Sequence, residues 1–203
     1  MKRLGFSIFL LTLALMLGGT ALAQNVGNNS VYFVTYYSNA NTAGAPDATV
    51  RIINDGEKGA GTNGTLWADF YVFDDSEELQ DCCSCAVTPD GVLSESVNQQ
   101  LVNFDLVLTP KLNRAGVIKV ISSSSNDPTA PVPTPGLREF ATHIQATRSL
   151  PSVTGPFSTS EAEAIDANLS AAERSLLGQL CYYAIQLGSG FGVCTCTYED
   201  RDF

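Results

Sequence analysis

Residues 81–91 read DCCSCAVTPDG, which places Cys82, Cys83 and Cys85 within four positions. The other three cysteines, Cys181, Cys194 and Cys196, lie near the far end of the chain. Thiols in such a set can be metal ligands, redox groups or staples. A structural zinc site uses paired C-x2–4-C spacing, which C-C-x-C with C-x-C does not supply. Disulfide oxidoreductases carry C-x-x-C at a helix start, and Cys82 and Cys85 have that spacing without a helix start; haem attachment requires C-x-x-C-H, which the sequence lacks. An even cysteine count fits three disulfides. Adjacent cysteines bridge poorly, because a bridge needs Cα atoms several Å apart with converging Cβ vectors. Cys194 and Cys196 on extended chain point the same way and are also poor partners. Each of the first three then pairs with one of the last three. Cys83 and Cys85 share a strand face, as do Cys194 and Cys196, while Cys82 faces the other way. The expectation is Cys82–Cys181, with Cys83 and Cys85 bridged to Cys194 and Cys196 in either order.

Other groups offer less. His143 is the single histidine, and G-x-S-x-G is absent, so a serine triad has no support. His143 sits beside Gln145 on the polar-looking face of a strand and reads as a solvated imidazole. Residues 188–192, GSGFG, follow a helix instead of opening one, so they read as a helix stop and not a phosphate loop. The acidic stretch 74–81, DDSEELQD, lacks EF-hand spacing and reads as a solvated loop guarding a sheet edge. Paired catalytic carboxylates remain an alternative, but 21 acids give no basis for choosing a pair. Tyr32, Phe33, Tyr36 and Tyr37 could form a sugar-binding face, though core packing is the preferred reading. No catalytic residue, cofactor or metal site is assigned.

The elements that must hold the cysteines are mostly strands. β-branched and aromatic runs bounded by turn residues predict strands at 31–37, 48–54, 65–74, 104–110, 115–123, 138–147 and 191–198. Both faces of 65–74 are mostly apolar, as in a central strand covered on both sides. Pro89-Asp90-Gly91 predicts a turn between two strand-like pieces. Residues 55–64 can only be a loop. Prolines 128, 131, 133 and 135 mark an extended connector over 126–136, a crossover within one sandwich. Residues 157–169 read equally as strand or helix. Ser170 with Glu173 forms a capping box, after which Leu176, Leu177, Leu180, Cys181, Ala184 and Leu187 recur at helical spacing. A helix over about 171–187 follows. The fold class expected is mainly β: an antiparallel β-sandwich, immunoglobulin-like or jelly-roll-like, with one C-terminal helix and disulfide staples.

The combination of CCSC, TPDGVLSESVN and a helix running into GSGFGVCTC is similar to a set of uncharacterised exported bacterial proteins with a Pro-rich middle. The resemblance covers most of the chain after its leader. It implies export and a common fold, and carries over no activity and no functional residue.

The chain starts MKRLGFSIFLLTLALMLGGTALAQ, with a basic start, a short apolar run and Ala21-Leu22-Ala23, as in a signal peptide over 1–23. The apolar run is short for a membrane span, so no membrane insertion is expected after cleavage. Residues 24–203 then form one domain, long enough to bury a core. The full chain carries 11 Lys plus Arg and 21 Asp plus Glu; without Lys2 and Arg3 the balance is 9 against 21, or −12. Nucleic acid is a poor partner for so acidic a chain. No other partner is identified.

The function expected is that of an exported, non-enzymatic sandwich protein, secreted, periplasmic or at the cell surface. Its role would be structural, adhesive or ligand-binding. Self-association by strand addition through residues 24–40 is one variant. The alternatives are an extracellular carboxylate-dependent hydrolase and a cysteine-ligated metal-binding module.

Overall fold

The computed structural model describes residues 29–56, 64–103, 106, 114–146, 156–189 and 191–197. The expected leader, most of the 55–64 loop and all but Leu106 of the 104–110 strand candidate lie outside these residues. The described strands are β1 (Tyr32–Ser38), β2 (Thr49–Asn54), β3 (Leu66–Asp74), β4 (Leu79–Val87), β5 (Val92–Ser96), β6 (Ala115–Ser123), β7 (Leu137–Ala146), β8 (Phe157–Glu163) and β9 (Ile165–Asp166). One α-helix follows, α1 (Ala171–Gln186), and a short π-helical turn occupies Val97–Leu101.

The strands make two antiparallel sheets, ordered β4-β3-β6-β1-β9 and β5-β2-β7-β8. Alternation dictates how they pack. Leu66, Ala68, Phe70 and Val72 of β3 point between the sheets, where they join Phe33, Tyr37, Ile118 and Val120. The second sheet meets them with Val50, Ile52, Leu93, Leu137 and Ala141. The other face of β3 is also buried: Tyr71 and Phe73 pack with Ile121, Leu177, Cys181 and Ala184. The helix therefore covers the outer face of the five-stranded sheet, giving three layers, helix on sheet on sheet. The Pro-rich connector carries the chain from β6 in one sheet to β7 in the other, as a crossover should. It folds back on its start, with Ser124 N donating to Val132 O at 3.0 Å and Thr134 N to Ser122 O at 2.8 Å.

Several expectations need correction. Residues 191–197, the described part of the strand expected at 191–198, do not extend a sheet as a final strand. Val193 makes one parallel bridge to Cys82, and residues 194–197 form no ladder beyond it. The segment's path is set by disulfides and not by its alternating pattern. Residues 157–169 are not helical. The open edge of β7 recruits 157–163 as β8, and tertiary pairing overrides the helix preference of Glu and Ala. The chain crosses sheets at buried Ala164 to pair with β1 as β9, closing one side of the sandwich. Only part of 74–81 is a solvated loop: Gln80 and Asp81 are buried in β4. The exposed part is a tight turn in which Asp74 Oδ1 accepts from Ser76 N and Glu78 N, each at 2.9 Å. In the turn between β4 and β5 it is Asp90 that takes positive φ, 61°.

Candidate functional site

The six cysteines meet as expected, and the structure fixes the order: Cys82–Cys181, Cys83–Cys194 and Cys85–Cys196, with Cα separations of 5.8, 5.2 and 5.5 Å. Parity decides the arrangement. Cys83 and Cys85 point into the core between the sheets, whereas Cys82 points outward to α1. Around them the 192–197 segment lies along the outer edge of β4. Cys82 N donates to Gly192 O at 3.0 Å and Cys194 N to Cys82 O at 3.2 Å. It then reaches the second sheet, where Thr197 Oγ1 donates to Ser94 O at 2.9 Å. The clamp thus covers an edge that would otherwise offer unpaired strand groups. The sulfurs of Cys83, Cys85 and Cys196 lie within 4.8 Å of one another, the one sulfur cluster among the described residues that could hold a metal ion. Each is committed to a disulfide.

Asp69, Asp81, Glu95 and Glu139 are buried where alternation calls for apolar side chains, and burial strongly raises the pKa of three of them. Asp69, between Ala68 and Phe70, faces the helix side of the first sheet beneath the connector. Its Oδ1 accepts from Ser84 Oγ at 2.6 Å, and burial pushes its pKa up to about 7. Tyr71, on the same face, donates to Pro128 O at 2.7 Å. Glu95 lies opposite Val50 and accepts from Thr197 N at 2.9 Å; burial raises it to about 7 against those hydrogen bonds. Glu139 lies opposite Ile52, its carboxyl oxygens have no hydrogen-bond partner, and burial alone raises it to about 8. At neutral pH burial therefore keeps Glu139 mostly protonated and Asp69 and Glu95 about half-protonated.

His143 is not the solvated imidazole expected. It is 8% exposed, on the same strand face as Ala141, and its ring lies 4.0 Å from that of Tyr36. Burial lowers its pKa below the ordinary histidine value, while a hydrogen bond with the Tyr36 backbone works the other way. The two faces of β7 carry similar mixtures of polar and apolar residues, so a polar-looking face can turn inward. Of the early aromatics, Tyr32, Phe33 and Tyr37 are buried and Tyr36 is half exposed, so the core reading holds for three of the four.

Among the described residues, a concave feature with convergent groups lies on the helix side. A cavity of about 250 Å³ lies between α1 and the connector, lined by Thr129, Ser175, Gly178, Gln179, Tyr182 and Tyr183. Helix and connector approach closely because Gly178 has no side chain: a Cβ there would lie 2.4 Å from Thr129 O. The helix buries only Leu177, Gly178, Cys181 and Ala184, a narrower stripe than its leucine spacing implied. Leu176 and Leu187 are exposed, as are Tyr182 and Tyr183. At the helix start Ser170 Oγ accepts from Glu173 N at 3.0 Å, the first half of the capping box. The Glu173 carboxylate, however, accepts from Lys119 Nζ at 2.6 Å and Tyr32 Oη at 3.0 Å, tying α1 to the sheet.

Sequence reading missed the burial of these acids and the groove. The acids had a signal: each sits in a strand with apolar neighbours on its face. The groove had none, because its connector half and helix half meet only in three dimensions. Fold and clamp together define a disulfide-clamped, helix-capped antiparallel sandwich. Comparison with protein-family models, with curated proteins and with solved structures finds no match.

Proposed function

We propose that the chain is an exported, non-enzymatic sandwich protein with a structural, adhesive or ligand-binding role. The observation that carries this reading is the convergence of three long-range disulfides on β4. Such bonds persist in oxidising compartments. The leader-like start and the resemblance to exported bacterial proteins support the same compartment. Among the described residues no helix is long and apolar enough to cross a membrane. Asp69, Asp81, Glu95 and Glu139 are buried out of a substrate's reach, so the hydrolase alternative would have to use exposed carboxylates. The metal-module alternative needs thiolates, and among the described residues no cysteine is free. Strand exchange would require β1 to leave its place between β6 and β9.

Expression of the full chain in a bacterium, followed by fractionation, thiol counting and a hydrolytic screen, tests the proposal. The expected result is protein outside the cytoplasm, without titratable thiols and without turnover of glycoside, ester or peptide substrates. Reduced protein retained in the cytoplasm overturns the compartment. Turnover abolished by Asp69→Asn or Glu139→Gln overturns the non-enzymatic role.

A further inference from the structure

The groove between α1 and the connector is built from chemistry that suits one class of ligand. Tyr182 and Tyr183 are 49% and 66% exposed, and their rings meet edge to face with centroids 5.9 Å apart. They form an aromatic corner. Gln179 supplies an amide that can donate and accept, and Ser175 a hydroxyl that does both. Thr129 Oγ1 donates to Asp127 Oδ1 at 2.6 Å, which leaves its lone pairs free to accept. Gly178 gives a floor of backbone. No lining residue is charged at neutral pH, in a chain whose formal net charge is −10. The volume, about 250 Å³, falls below the roughly 300–1,000 Å³ typical of drug-sized ligand sites. The Cys82–Cys181 bond anchors the helix between Gln179 and Tyr182, fixing which residues face the groove.

We propose that this groove is a subsite for a neutral sugar ring, one unit of a longer glycan. A pyranose has an apolar C–H face that stacks on an aromatic ring and a rim of hydroxyls that need paired donors and acceptors. The aromatic corner and the Gln179, Ser175 and Thr129 groups match those two requirements. An anionic sugar would gain no charge partner in the groove and would be repelled by the molecule's net charge. A cationic ligand would find no carboxylate in the lining. The inference rests on the ligand-binding form of the proposed function and names its site and ligand class.

The test uses the full oxidised chain and a panel of tetrasaccharides: neutral glucose-, mannose-, galactose- and N-acetylglucosamine-based probes, with a polyuronate as the charged control. Binding is read by calorimetry and by NMR shifts. Millimolar binding of at least one neutral probe is expected, with none of the polyuronate. Tyr183→Ala and Gln179→Ala should each weaken it about tenfold. Leu187→Ala, an exposed change outside the groove, should not. Both groove side chains are surface groups, so unchanged thermal unfolding of the variants confirms that loss of binding is not loss of fold. Binding that persists in both groove variants overturns the site assignment while leaving a ligand-binding role intact. Preference for the polyuronate overturns the ligand class, and no binding of any neutral probe overturns the proposal.

Discussion

Glu139 is buried between the sheets with no partner for its carboxyl, and burial holds its pKa near 8. The unfolded chain releases the same proton near the ordinary value of 4.5. Between those values the folded state binds more protons than the unfolded state, so stability falls as pH rises, by about 1.4 kcal/mol per pH unit. Glu139→Gln keeps the shape and cannot ionise. The variant and the parent should have similar denaturation midpoints near pH 4.5, and the variant should gain progressively toward pH 8. A difference that does not change with pH would show that Glu139 finds a charged partner on ionisation. Gly116 makes a second residue-scale case. It lies opposite Tyr37, and a Cβ on it would be 1.9 Å from Phe73 O and 2.7 Å from Tyr37 Oη. Tyr37 Oη donates to that same carbonyl at 3.2 Å. Gly116→Ala should therefore cost about 3 kcal/mol or more, at the upper end of overpacking effects, read as a lowered denaturation midpoint.

At the scale of elements, the question is what the Cys82–Cys181 bond adds once the other two exist. Taken alone it closes a loop of 99 residues. With Cys83–Cys194 in place the path is far shorter: from residue 82 to 83, across that bridge, and back from 194 to 181. A loop of about 15 residues is worth about 3 kcal/mol in the chain-entropy model, against 4–5 kcal/mol for about 100. Removing both cysteines as Cys82→Ala with Cys181→Ala should cost near the smaller figure. The loss should be local: α1 amides should exchange with solvent much faster, while β3 and β6 stay protected. Equal loss of protection in all three would show that the helix and sandwich unfold as one unit. This bond was legible in sequence because strand parity separates Cys82 from Cys83 and Cys85. The strands were legible wherever one face was clearly apolar, as in β3 and β6. β7 was legible as a strand over 138–147 but its inward face was not, and β8 read equally as strand or helix. There Glu139 and His143 face inward, while Ala162 is exposed, so the usual sign of burial is lost. Residues 191–198 failed for a different reason. Their alternation is real, but two cysteines inside them are bound to β4 in a geometry that one parallel bridge satisfies.

At the scale of the molecule, the buried acids act together. Asp69 and Glu95, each near 7, and Glu139, near 8, all have folded values above their unfolded ones. All three therefore favour the folded state more as pH falls from 8 toward about 5. The formal net charge of −10 pushes the same way, because surface acids repel one another less as they protonate. Glu173 opposes this trend. It is held below its ordinary pKa, chiefly by its hydrogen bond from Lys119, so its contribution is lost as pH falls through that lowered value. That loss comes only at pH values below those at which the buried acids titrate. The maximum of stability should thus lie near pH 5, on the acid side of the usual neutral range. Calorimetry of the oxidised chain checks it directly: the unfolding temperature should rise from pH 8 to about pH 5 and turn down below about pH 4. Replacing all three acids by their amides should flatten the upper limb and leave the lower one. An unfolding temperature that climbs toward pH 8 would mean that water reaches these carboxyls in solution, and the sealed core described by the three layers would be wrong at those positions.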